Sequence, residues 1–136
     1  MRRAWLILAL LPAALPAQPD LVQQARRSLT EAEQAVDKAG EPCQAGEYES
    51  CITRLTEVQS GVEAAHHSLE KTGINPSRSP RHFKDAEVRT RKILKLLRAL
   101  ASYIHPEDRK QYDAVVEGVS RINEKLLSGI MSRNKR

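Results

Sequence analysis

Aromatic residues and glycine are scarce in this sequence, with one Trp, one Phe, three Tyr and six Gly among 136 residues. Strands are typically enriched in aromatic and β-branched side chains. This chain is instead rich in Ala, Leu, Glu, Lys, Arg and Gln, which favour helices. The composition therefore argues against a sheet-based core and predicts an all-α protein.

Long apolar runs are absent beyond the amino terminus. The chain opens with Arg2 and Arg3, continues with an apolar run over residues 4–15, and reaches Ala17 just before the polar Gln18. A basic start and an apolar run shorter than the roughly 20 residues that span a bilayer are typical of a secretory signal peptide. We predict a signal peptide over residues 1–17 and a secreted or periplasmic location; the alternative is an uncleaved amino-terminal anchor.

The charge that remains after cleavage is small. Removing residues 1–17 leaves 119 residues with 20 basic and 17 acidic side chains, a net charge of +3. The length suits one domain, and no later stretch is apolar enough to cross a membrane. So mild a basic excess on an exported chain does not predict a nucleic-acid partner. We expect a monomer or a homodimer.

Apolar residues recur at steps of three and four, which predicts four amphipathic helices at about residues 20–39, 47–72, 80–104 and 106–131. Asp20 is the expected N-cap of the first helix, which Gly40 is expected to end, with Pro42 preventing continuation. Short connections favour a single up-down-up-down four-helix bundle over residues 18–131, followed by a basic tail at 132–136. The alternative is a long two-helix hairpin that completes its core by dimerising.

The third predicted helix carries the most continuous apolar seam. It is formed by Phe83, Ala86, Thr90, Ile93, Leu97, Leu100 and Ile104. We expect the bundle to pack around Leu97. In the second helix, Gly61 costs about 1 kcal/mol relative to alanine, so either another helix approaches closely there or the helix is weak at that point.

Cys43 and Cys51 are the only cysteines, and in an exported chain a disulfide is the first hypothesis. On one continuous helix they would lie about 12 Å apart, too far for a disulfide. We therefore expect Cys43 in a turn folded back on the second helix, where the bond would contribute about 2.5 kcal/mol. The alternative is a pair of reduced cysteines that join two molecules.

Several motifs that carry chemistry are missing. The sequence contains no Gly-rich phosphate loop, no His-Glu-x-x-His and no calcium loop, and its serines lack a nucleophile elbow. The signal and helices resemble the general plan of small exported bundles such as the soluble periplasmic cytochromes. Those bind haem, but Cys-x-x-Cys-His is absent here. We expect no cofactor and no enzymatic activity.

One cluster on the second helix has the residue types of a metal or small-ligand site. It comprises Glu63, His66, His67 and Glu70. Glu63 and His66 follow the Glu-x-x-His spacing that supplies half of the metal site in ferritin-like bundles. The other half is missing, so a solvated charged face with one histidine at the core edge is the alternative.

The third helix concentrates the positive charge. Residues 78–98 hold eight Lys or Arg against two acidic residues. The candidate contact residues are Arg81, Lys84, Arg91, Lys92, Lys95 and Arg98. Such a stripe suits an acidic protein or an envelope polymer. In the alternative interpretation, these are helix-forming outward residues that pair with acidic neighbours. We predict an exported interaction or structural module.

Overall fold

The computed structural model describes residues 18–132, which form four α-helices and no strand. The helices are α1 (Gln18–Ala45), α2 (Tyr48–Lys71), α3 (Arg81–Ala99) and α4 (Arg109–Met131). The predicted all-α class with four helices is confirmed, and residues 18–132 do not form the alternative hairpin of two long helices. The up-down-up-down order of the helices stays a prediction. The predicted signal peptide and residues 133–136 of the basic tail lie outside the described residues.

Helix α1 is longer than predicted at its carboxyl end. It continues through Gly40 and Pro42 to Ala45. The helix-ending glycine is Gly46, with a φ of 80°. Its N–H donates to the Cys43 carbonyl at 3.4 Å, and the next N–H donates to the Pro42 carbonyl at 2.9 Å. This is the Schellman arrangement, which satisfies carbonyls that a helix end leaves without donors.

Burial explains why the local signals at Gly40 and Pro42 did not end the helix. Ala39 and Cys43 are buried one turn apart, so another turn of α1 extends the core seam. Pro42 lacks an N–H and costs the helix one hydrogen bond near its end, where that loss is small. At the other end, Asp20 lies inside the first turn and is not an N-cap.

The remaining helix boundaries are closer to prediction. Helix α2 ends at Lys71, one residue before the predicted end, and Gly73 follows it with a φ of 73°. Helix α3 stops at Ala99, five residues early, and two short 3₁₀ turns at Ala101–Tyr103 and Pro106–Asp108 lead into α4. The N-cap of α3 is Pro80, whose carbonyl accepts the Lys84 N–H at 2.7 Å.

All four helices contribute to one core. Every residue of the predicted α3 seam is buried, and Leu97 is fully inaccessible to solvent. Thr90 is also inaccessible, and its hydroxyl has no hydrogen-bond partner in the described structure. The Tyr112 hydroxyl of α4 donates to the Leu97 carbonyl at 2.7 Å, and burial raises the pKa of this phenol. A polar contact thus joins α3 to α4 inside the core.

Gly61 marks the closest approach between α1 and α2. A Cβ placed on it would lie 2.8 Å from the Ser28 carbonyl oxygen and 2.9 Å from the Ala32 Cβ. Both distances are shorter than an ordinary van der Waals contact. Of the two explanations for a glycine at this position, close helix packing is therefore the one that the structure supports.

Candidate binding surface on helix α3

The outward face of α3 carries the predicted basic stripe. All six candidate residues are exposed, whereas the seam residues fill the opposite side of the same helix. The stripe residues are Arg81, Lys84, Arg91, Lys92, Lys95 and Arg98. Their steps of three, four and seven place most of them along one side of the helix. The structure therefore brings these residues together on a single solvent-facing surface.

Most of the stripe residues differ from Arg89, the remaining arginine of α3, in forming no ion pair within residues 18–132. Arg91 pairs with Glu87 at 3.1 Å, but in residues 18–132 the other five stripe residues form no ion pair. Pairing with acidic neighbours thus accounts for one of the six. Five cations face solvent without an ion pair in the described part of the chain; of these, Lys92 adds to the lowering of the Glu33 pKa that the Arg89 hydrogen bond mainly causes.

Arg89, which is not among the six candidate contact residues, has a structural role. Its guanidinium donates two hydrogen bonds to the Glu33 carboxylate of α1, at 2.9 and 2.8 Å, and a third to the Thr30 hydroxyl at 3.0 Å. These bonds lower the pKa of Glu33 and raise that of Arg89. A bidentate pair of this kind fixes geometry as well as charge. It ties α3 to α1 beside the exposed stripe.

A second polar contact ties α3 to α4. The Glu87 carboxylate is almost buried and accepts hydrogen bonds from Arg91 and from the Asn123 amide. The amide also donates to the Glu87 carbonyl at 3.1 Å. The bond from Arg91, helped by that from Asn123, holds the pKa of Glu87 below its ordinary value although burial opposes this. The edge of the stripe is therefore held in place by α4.

Two exposed aliphatic side chains lie among the stripe residues. Val88 is 50% exposed and Leu96 is 44% exposed, and Lys92 lies between them at steps of four residues. Residues four apart are neighbours on a helix surface. Neither residue belongs to the heptad seam of the sequence. This position outside the seam is the sequence signal that predicts their exposure. The surface is therefore partly apolar as well as basic.

The cysteines form a disulfide, as predicted, with a Cα–Cα distance of 4.7 Å. Their placement differs from the prediction, since Cys43 lies in the last turn of α1 and not in the connecting turn. The turn at Gly46 reverses the chain between them, which brings two helical residues together. The bond therefore joins the ends of α1 and α2 and is almost wholly buried.

The predicted metal-ligand cluster on α2 is not assembled. In the described part of the chain, no three His, Cys, Asp or Glu side chains converge as a ligand set. His66 lies 3.5 Å from Glu70, but Glu63 accepts a hydrogen bond from Gln59, and His67 faces solvent. Adjacent helix positions point about 100° apart, which separates His66 from His67. Helix α4 adds a cation, Lys125, instead of a carboxylate.

Comparison with known proteins adds no family. No protein-family model, no curated protein and no solved structure matches this chain. Among the helices of residues 18–132, none has both the length and the apolar character needed to cross a bilayer. The fold and surface define a four-helix, disulfide-linked domain with a basic, partly apolar face on α3.

Proposed function

We propose that this chain is an exported helical binding module that holds an acidic protein through the outward face of α3. The observation that carries the proposal is the division of the basic residues of α3. Arg89 and Arg91 are paired and connect or brace helices, whereas five neighbouring cations have no ion-pair partner within residues 18–132. Binding, and not catalysis, is the role that such a surface serves.

The unpaired cations carry a cost that an acidic partner would remove. Like charges at three- and four-residue steps repel one another in an isolated helix. A partner with carboxylates at matching positions replaces that repulsion with attraction and accelerates encounter, most strongly at low salt. The electrostatic energy of the stripe is therefore lower against an acidic surface than in solvent alone.

Val88 and Leu96 favour a protein over a charged polymer. Both are about half exposed between the cations. A folded partner can bury these side chains against its own apolar groups, as interface centres commonly do. A flexible polyanion would neutralise the lysines but leave the aliphatic area exposed. Mixed recognition of this kind is typical of protein surfaces.

Export belongs to the same proposal. The basic and apolar start of the sequence supports a signal peptide over residues 1–17, and a buried disulfide persists best in an oxidising compartment. Intact mass measurement of the protein recovered outside the cytoplasm tests this directly. A chain beginning at Gln18 is the expected product. A full-length chain retained in membranes would contradict cleavage.

Two variants of equal charge test the surface itself. The stripe variant carries Lys84→Gln, Lys92→Gln, Lys95→Gln and Arg98→Gln. The matched control carries Arg26→Gln, Arg27→Gln, Lys38→Gln and Lys110→Gln, which are exposed residues of α1 and α4. Each variant removes four positive charges, so the two differ in where the charge is lost and not in how much.

The probe is a synthetic amphipathic helical peptide with glutamates flanking a leucine stripe. The parent and the control are expected to bind it alike, and the stripe variant about tenfold more weakly or worse. Binding of the parent should weaken steeply at about 0.5 M salt. Equal weakening of both variants would show that net charge, and not this surface, is responsible. A polymer partner would be favoured instead by two results together: the parent binds heparin but not the peptide, and Val88→Ser and Leu96→Ser leave heparin binding unchanged.

A further inference from the structure

A cleft lies at the end of the bundle where α2, α3, α4 and the loop before α3 meet. Its volume is about 310 Å³, which is at the small end of the range for ligand pockets. The apolar part is formed by Phe83, Leu126 and Pro76, and the first two are almost completely buried. The polar part is formed by His66, Glu70 and Lys125.

The loop that forms one wall of the cleft is held by its own hydrogen bonds. The Asn75 carboxamide oxygen accepts from the Ser77 N–H and hydroxyl at 2.9 and 2.8 Å, and the Asn75 carbonyl accepts from the Ser79 N–H. A Cβ on Gly129 of α4 would lie 3.2 Å from the Pro76 ring. The loop thus sits tightly on α4, so the cleft is formed before any ligand arrives.

The polar side chains of the cleft differ in whether they already have a partner in the protein. Glu70 already contacts the His66 ring at 3.5 Å, whereas Lys125 forms no ion pair with any residue that the structure describes. Burial, with Lys125 nearby, lowers the pKa of His66, although Glu70 acts in the opposite direction. The available charge in the cleft is therefore the lysine ammonium, positioned beside an apolar floor.

We propose that this cleft binds a small apolar carboxylate, with its carboxylate on Lys125 and its apolar part against Phe83, Leu126 and Pro76. The ammonium supplies a charge-assisted hydrogen bond, and the apolar wall beside it contacts the rest of the ligand. Glu70 opposes an anion in the same space and keeps the affinity modest. The site is separate from the α3 stripe and does not depend on its function.

The test compares phenylacetate with phenylacetamide, which have the same shape and differ in charge. Titration of each into isotopically labelled protein is followed by amide chemical shifts around His66, Lys125 and Gly129. Phenylacetate is expected to bind about fivefold or more tightly than the amide. Lys125→Gln should remove that preference, and Glu70→Gln should tighten phenylacetate binding about threefold by removing a like charge.

Lys110→Gln is the matched control, because it removes an exposed lysine from the opposite end of the same helix. It should leave both affinities unchanged. Equal affinity for the two probes, or equal effects of the Lys110 and Lys125 substitutions, would overturn the proposal. Shift changes confined to residues outside the cleft would also overturn it. Opposite responses to the Glu70 and Lys125 substitutions are the result that simple apolar binding cannot produce.

Discussion

Replacing Gly61 with alanine is expected to destabilise the fold, although alanine is the better helix former. At this position the new Cβ would lie 2.8 Å from the Ser28 carbonyl oxygen and 3.2 Å from the Ala32 backbone nitrogen. These are backbone atoms, so no side-chain rotation relieves the overlap. To restore ordinary contact, the two helices must separate locally by roughly half an ångström.

The size of the effect follows from two opposing contributions. Alanine gains about 1 kcal/mol in helix propensity over glycine. Overpacking a close interface typically costs about 1 to 3 kcal/mol. Because the overlap involves backbone on both helices, we expect a cost at the upper end and a net loss of about 1 to 2 kcal/mol. Separation of the helices also weakens packing around the neighbouring Val62.

Gly40→Ala is the control, since Gly40 lies in the interior of α1 and a Cβ there would meet nothing within 4 Å. It should therefore stabilise the protein by about 0.5 to 1 kcal/mol. Thermal and urea unfolding of both variants, followed by circular dichroism with the disulfide intact, gives the comparison. Midpoints roughly 5 to 10 °C apart are expected. Equal stabilisation by both substitutions would refute the close approach of α1 and α2.

Further substitutions test the buried hydroxyl of Thr90, the contact between α1 and α3, and the disulfide. Thr90→Val should raise stability by about 1 kcal/mol, because it removes a buried hydroxyl without a partner; a lower unfolding midpoint would mean that the hydroxyl is bonded. A double-mutant cycle on Glu33 and Arg89 should show about 1 kcal/mol of coupling, and additive effects would contradict the bidentate contact. Because the pKa of Glu33 is lowered, its carboxylate stabilises the fold fully above the ordinary pKa of 4.5. This stabilisation is lost as the pH falls through the lowered pKa of the folded protein. Glu33→Gln should therefore make the free energy of unfolding depend less on pH in this acidic range. Replacing Cys43 and Cys51 with serine should cost about 2.5 kcal/mol, measured by urea unfolding; an unchanged midpoint would show that the bond does not constrain the unfolded chain.

Periodicity predicted the helices well because burial on one side of a helix imposes steps of three and four residues. The α3 seam illustrates this, since every residue assigned to it is buried. The end of α1 was mispredicted because Gly40 and Pro42 are local signals, and the burial of Ala39 and Cys43 outweighed them. Boundaries depend on packing that the local sequence does not contain.

The candidate surface was predictable in part. Exposure of the stripe follows from its position opposite the seam. The separate role of Arg89 does not, because it depends on which residue of α1 lies beside it. For the same reason, the sequence cluster at His66 suggested a metal site, whereas the folded chain places Lys125 next to it. Contacts between distant residues decide the chemistry of both sites.

Site-specific photocrosslinking in the native compartment tests the binding role of α3 most directly. A photoreactive residue at Val88, in the middle of the stripe, is compared with one at Thr53, an exposed position on α2. We expect a discrete adduct with an acidic protein at position 88, lost at about 0.5 M salt and absent at position 53. The same adducts at both positions, or an adduct at position 88 that the stripe variant retains, would contradict it.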